Sequence, residues 1–205
     1  MKKTISIILA VILSLPVVFA AEQPVSAETD IYTVVKGDSL WKIAVRYKVG
    51  LSEMIASNPQ IKNPDLIYPG DKITVPLPDA SVSSFEEEVI RLVNDIRKQN
   101  GLSELRSNWE LSRVARYKSK DMSEKKYFSH TSPTYGSPFE MISAFGISYR
   151  AAGENIAVGY KTPEAVVDAW MNSSGHRANI LNKSFTAIGV GYVSDGSYWT
   201  QMFIG

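Results

Sequence analysis

YTVVKGDSLWKIAVRYKV, residues 32–49, changes its hydrophobic period at Gly37-Asp38, and that change sets the architecture of the first half of the chain. Ile31 to Val35 is β-branched and aromatic, the composition of a strand. Lys36-Gly37-Asp38 supplies a turn, with Asp38 placed to cap the helix after it. Leu40, Ile43, Ala44 and Tyr47 then fall on one face of that helix. Downstream, Ser52 is placed to cap a second short helix bearing Met54 and Ile55, which Asn58-Pro59 should stop. Pro69-Gly70 marks a turn, and Ile73-Thr74-Val75 reads as a closing strand before Pro76. The expected order is strand, helix, helix, strand.

On the C-terminal side, residues 77–84 (LPDASVSS) are small, polar and Pro-bearing, which predicts a linker over 79–84 and suggests independent motion of the flanking parts. Ser84-Phe85-Glu86-Glu87 has the capping-box pattern and predicts a helix start there. Phe85, Val89, Leu92, Val93 and Ile96 form its apolar stripe, ending at Asn100-Gly101. Asn108 heads a second helix with Leu111, Val114, Ala115 and Lys118 on one face. Ser137-Pro138-Phe139-Glu140 is a further capping box, and Thr162-Pro163 opens a helix running through Trp170. Strands are expected at Asn155–Val158, Ala187–Val193 and Trp199–Ile204. The mixture predicts an α+β fold with helices on both faces of a small sheet.

On the N-terminal side, Lys2 and Lys3 precede an almost wholly apolar run from Ile5 to Phe19, followed by small residues at Ala20 and Ala27. This reads as an export signal over residues 1–27, and the run is short for a membrane span. The chain has 22 basic and 21 acidic residues and no cysteine. Near-neutrality gives no electrostatic case for nucleic acid. The absence of cysteine removes thiol catalysis and Cys-ligated zinc.

The 31–76 block, with its YTVVKGDSLWKIAVRYKV, NPQI and NPDLIYPGDKITVP segments, resembles a LysM domain, with bounds at 28–78. LysM domains bind peptidoglycan, chitin and other N-acetylglucosamine glycans. The resemblance implies a groove between the Gly37, Asp38, Ser39 and Leu40 loop and the Asn58, Pro59 and Ile61 segment. Exposed backbone groups of such loops suit sugar acetamides.

From 85 to 205, FSHTSP, GENIA, WMNSSGHRANIL, IGVGY and WTQMF resemble the cysteine-free bacterial branch of the CAP superfamily, also called SCP domains. That family implies an α-β-α sandwich with a cleft holding two His and two Glu. His130, Glu154 and His176 match three of the four positions, while the fourth falls on Ser173. Glu140 is the weaker candidate, since its capping-box place already explains it. Both histidines of the chain lie in these motifs, so His130 and His176 are candidate ligands for a divalent metal such as zinc. No Gly-x-Ser-x-Gly elbow accompanies Ser132 or Ser174. Together the two resemblances imply a non-catalytic, secreted protein of the cell wall or spore envelope, binding peptidoglycan together with an envelope protein, spore-coat protein or lipid. The alternative is a metal-dependent wall hydrolase targeted by LysM.

Overall fold

The computed structural model describes residues 28–205; the expected leader lies outside them. The first unit comprises β1 (Thr29–Thr33), α1 (Leu40–Tyr47), α2 (Leu51–Ala56) and β2 (Lys72–Pro76). The two strands pair antiparallel with Tyr32 opposite Ile73. Leu40, Ile43, Ala44, Met54, Ile73 and Val75 close a core of their own. Two caps differ from expectation. Ser39, not Asp38, caps α1 by accepting from Lys42 N–H. Asp38 instead closes the preceding turn, accepting from Val35 N–H and the Tyr32 hydroxyl. Gly50 rather than Ser52 sits at the N-cap of α2, and the Ser52 hydroxyl donates to Glu53.

The second unit begins earlier than its capping-box pattern predicts. Helix α3 spans Ala80–Gln99, and Asp79 caps it by accepting from Ser81 and Val82 N–H. Residues 79–84 are therefore the cap and first turn of a helix. Asp79 is as good a cap as Ser84, and its carboxylate satisfies two of the N–H groups that the first turn leaves without helical partners. Next come β3 (Arg106–Ser107), α4 (Trp109–Glu124), α5 (Pro138–Ala144), β4 (Ala152–Val158), α6 (Pro163–Asn172), α7 (Ser174–Ile180), β5 (Ala187–Val193) and β6 (Tyr198–Ile204). The sheet order is β3-β5-β6-β4. Side-chain alternation along β5 and β6 divides the core into two layers. Val89, Val93, Val166, Trp170, Ile180, Trp199 and Phe203 pack α3, α6 and α7 on one face. Leu111, Val114, Ala115, Met141, Ile142 and Met202 pack α4 and α5 on the other. Gly189 and Gly191 of β5 lie where a Cβ would overlap the α4 backbone at Leu111–Ser112 and Ala115–Arg116. The glycines thus let α4 lie directly on the sheet, and α4 is the helix that supports the site.

The two units are joined by a polar clamp. Arg113 of α4 grips Glu53 of α2 through two bonds of 2.7 Å, and Tyr117 donates to the same carboxylate at 2.9 Å. The guanidinium also stacks over Tyr117 and Phe145, 5.3 and 5.1 Å from their ring centroids. Burial opposes the Glu53 charge, but the bonds from Arg113 and Ser52 outweigh it and hold the carboxyl at about 2. A depressed carboxylate stabilises above its unfolded value, here 4.5, and that stabilisation is lost as pH falls towards 2. Arg113→Ala is expected to destabilise by about 2 kcal/mol at pH 7, a figure discounted for partial solvent screening. Denaturant unfolding at pH 7 and pH 2.5 checks it, since the gap between variant and parent should close at the lower pH.

Candidate functional site

Glu154 lies on β4 opposite Met202 of β6, on the side of the sheet that α4 covers. Its carboxylate meets His130, from the loop after α4, at 2.7 Å between Oε1 and Nδ1. The Glu154 side chain is 2% exposed and that of His130 is 54% exposed. With the Glu154 carboxylate as acceptor, the proton sits on Nδ1 and Nε2 of His130 is left as the acceptor nitrogen. Burial pushes the Glu154 carboxyl up, while His130 and Lys118 oppose that rise. Glu154 Oε2 is buried without a hydrogen-bond partner among the described residues.

His176 enters from α7, whose position is fixed from the sheet. Asn155 alternates to the opposite face from Glu154 and donates to the His176 carbonyl and to Gln201. Asn179 of α7 donates to Asn155 and to the Glu154 carbonyl. Burial lowers the His176 pKa, and the charge of His130 lowers it further. His176 is thereby biased to the neutral imidazole near pH 7. The structure thus pairs His130 with Glu154 and sets His176 near enough to feel the charge of His130, with Asn155 fixing the backbone at His176.

Two residues that sequence reasoning passed over hold this arrangement from below. Lys118, buried in α4, donates to the His130 carbonyl at 2.8 Å. Burial lowers its pKa, with Glu154 and Asp121 supporting the charge. Asp121, one turn on, accepts from Tyr127, Ser132 and Thr134 hydroxyls and pairs with Lys125. Burial opposes its charge, but these bonds hold the carboxyl at about 2. A lysine within the apolar stripe of α4 was the available signal, because a buried charge demands partners.

The other candidates fall elsewhere. Glu140 bonds Ser137 N–H and hydroxyl, completing a capping box. Ser132 is committed to Asp121. Ser173 stands at the N-cap of α7 and makes no side-chain capping bond. With Phe128, Ile156, Val158, Trp170 and His176 it lines a largely apolar pocket of about 340 Å³. Among the described residues, no three His, Asp or Glu side chains gather as metal ligands. One Glu154 oxygen is spent on His130, and zinc sites with an open position use three protein donors. The donor set for zinc is therefore incomplete at His130 and His176.

In the first unit, the sugar-site candidates divide by burial. Leu40 and Asn58 are buried. Asn58 bonds Met54 and both backbone groups of Thr74, tying α2 to β2. Gly37 turns the chain with φ +94°, and Asp38 and Ser39 serve the turn and cap described above. Pro59 is exposed, and Ile61 is partly buried against the core. Trp41, exposed at 60%, and Tyr68 present aromatic faces that the sequence reading did not single out; exposure next to the turn could not be told from burial by residue type alone.

Comparisons with known proteins fit these two units. The LysM domain model matches residues 32–76. The CAP model, described as the cysteine-rich secretory protein family, matches residues 90–203, more than half of the chain. The uncharacterized protein YkwD of Bacillus subtilis is 62% identical over 126 residues, 62% of this chain and 49% of that protein. The spore coat assembly protein ExsA of Bacillus cereus is 54% identical over 46 residues, 22% of this chain and 7% of that protein. A crystal structure of an extracellular SCP-domain protein from Bacillus anthracis superposes with TM-score 0.59 at 32% identity, covering 66% of this chain and 46% of that one. The chain thus spans about half, or less, of these relatives. A mixed sheet between two helical layers and a match over most of the second unit make this chain a member of the CAP family, with a LysM domain ahead of the CAP domain.

Proposed function

We propose that the protein is retained in the wall or spore envelope by LysM binding to peptidoglycan, and that its CAP domain binds a further envelope component without cutting it. The observation that carries the second clause is Ser173. At the position where the family places its second Glu, the cleft offers a hydroxyl beside an apolar pocket rather than a carboxylate. The first clause draws on the LysM match over residues 32–76. The spore-coat assembly protein among the LysM relatives supports a spore envelope.

A hydrolase reading has one observation in its favour, the Glu154-oriented His130, which has the form of a general base. Among the described residues, no nucleophile bonds that imidazole and no three His, Asp or Glu side chains gather as metal donors.

The test is co-sedimentation of residues 28–205 with purified peptidoglycan. Binding is expected, with displacement by oligomers of N-acetylglucosamine and no change in a His130→Ala/His176→Ala double variant. The pellet should release no soluble fragments on long incubation. Failure to sediment sinks the LysM clause, and fragments whose release depends on His130 favour the hydrolase.

A further inference from the structure

Among the described residues, strand β4 is the outer strand of the CAP sheet, paired only with β6. The phase of that ladder fixes which backbone groups face outward. Ala151 and Gly205 exchange both hydrogen bonds, and Gly159 N–H donates to the Ser197 carbonyl. Between them, the bonded pairs must be Gly153–Phe203, Asn155–Gln201 and Ala157–Trp199. Glu154, Ile156 and Val158 therefore turn their N–H and C=O groups away from β6. Two of those carbonyls are occupied, Glu154 by Asn179 Nδ2 at 3.1 Å and Ile156 by the Trp170 indole at 3.3 Å. Both backbone groups of Val158, which is exposed, and the N–H of Ile156, which is buried at the pocket wall, have no partner among the described residues.

An open strand edge invites pairing, and proteins ordinarily blunt one with charge, proline, a bulge or a covering helix; here α7 and α6 cover the edge at the Glu154 and Ile156 carbonyls and stop short of Val158. Residues 156–160 (IAVGY) carry no charge or proline, and the ladder with β6 runs without a bulge. Around the open groups stand Val158, 39% exposed, Phe128, 50% exposed, and Tyr160. Beside them opens the 340 Å³ pocket floored by Ala169 and Trp170. Donors, acceptor and pocket together have the form of a site for strand addition, in which backbone bonds give affinity and alternate side chains give specificity.

We propose that the β4 edge at Ile156–Val158 binds an extended segment of a protein partner, which seats one large apolar side chain in the adjoining pocket. It deepens the reading of the CAP domain as a binding module and rests on it. A protein segment suits the site better than the peptide stem of the wall. Strand pairing needs successive side chains on opposite faces, which the mixed D and L residues of wall stems do not provide. The pocket is also several times larger than a methyl group requires.

The experiment selects displayed L-heptapeptides on residues 28–205, then measures synthetic versions by titration. Selected peptides should share one large apolar residue and slow amide exchange at Ile156 and Val158. Val158→Pro deletes the outward N–H at an edge position where proline is tolerated, and should weaken binding at least tenfold. Ala169→Leu, on the partly exposed face of α6, fills the pocket and should do the same without touching the sheet. No enrichment over the library background overturns the proposal, as does binding that both variants leave unchanged. Tighter binding of a synthetic muramyl tetrapeptide than of any selected peptide also overturns it and assigns the cleft to the wall. Because no peptidoglycan is present, a failed LysM reading leaves these outcomes unaffected.

Discussion

Asp121→Ala is expected to lower stability by about 3–5 kcal/mol and to release the loop that carries His130. The Asp121 carboxylate is the hub of the 127–134 segment. Tyr127 and Ser132 donate to one oxygen at 2.7 Å each, and Thr134 and Lys125 engage the other at 2.5 and 3.0 Å. Hydrogen bonds to a charged group contribute about 1.5–3 kcal/mol each, though not additively. Truncation leaves the buried Ser132 hydroxyl without its acceptor and frees Tyr127, which also approaches Lys118. Lys118 in turn holds the His130 carbonyl, so the effect reaches the site through two bonded steps. The depressed carboxyl gives the pH dependence its sign. Its folded value is about 2 against 3.8 unperturbed, so the contribution is complete above about pH 5 and fades as pH falls towards 2. Urea unfolding of parent and variant at pH 7 and pH 2.5 should show a large gap that narrows on acidification. A gap below 1 kcal/mol at pH 7, or one that pH leaves alone, contradicts the hub.

The elements most legible in the sequence were those whose determinants are local. The apolar stripe from Leu40 to Tyr47 and the Ser137-Pro138-Phe139-Glu140 box lie within a few residues of what they control, and α1 and α5 form where those patterns place them. Competing caps were less legible. Asp38 and Ser39 are both good caps, and the choice depended on Tyr32, whose hydroxyl claims Asp38 from the neighbouring strand. At α3 the cap likewise fell on Asp79, five residues ahead of the Ser84 that the capping-box pattern marks. Long-range pairing was not legible at all. Glu53 and Arg113 are 60 residues apart and unremarkable by type, yet they join the two domains. The site lies between these limits. Motif resemblance picked His130 and Glu154, which pair, and His176, which stands near His130, but Lys118 read only as one more position on an apolar stripe. The open edge of β4 was invisible, because the phase of a ladder is a property of pairing and not of composition.

Removing residues 28–78 is expected to abolish sedimentation with peptidoglycan while leaving the CAP domain folded. The cores justify cutting there. The LysM core and its packing partners are drawn from Tyr32 to Leu77, and the two CAP cores and theirs from Val82 to Ile204. No buried apolar cluster is divided. The cut also spares Asp79, so α3 keeps its cap. The clamp is lost, which leaves Arg113 and Tyr117 hydrated rather than buried without partners. An exposed guanidinium costs little, so only a modest fall in melting temperature is expected. The loss of wall binding should be far larger, because no other module in the described residues has the glycan-binding match that LysM carries. Deletion therefore separates two readings that point variants cannot. If the fragment 79–205 melts cooperatively yet stays in the supernatant, wall retention belongs to LysM and the CAP cleft is free for another ligand. If it sediments as well as the longer chain, the wall contact lies in the CAP domain, and the open β4 edge and its pocket become the first place to seek it.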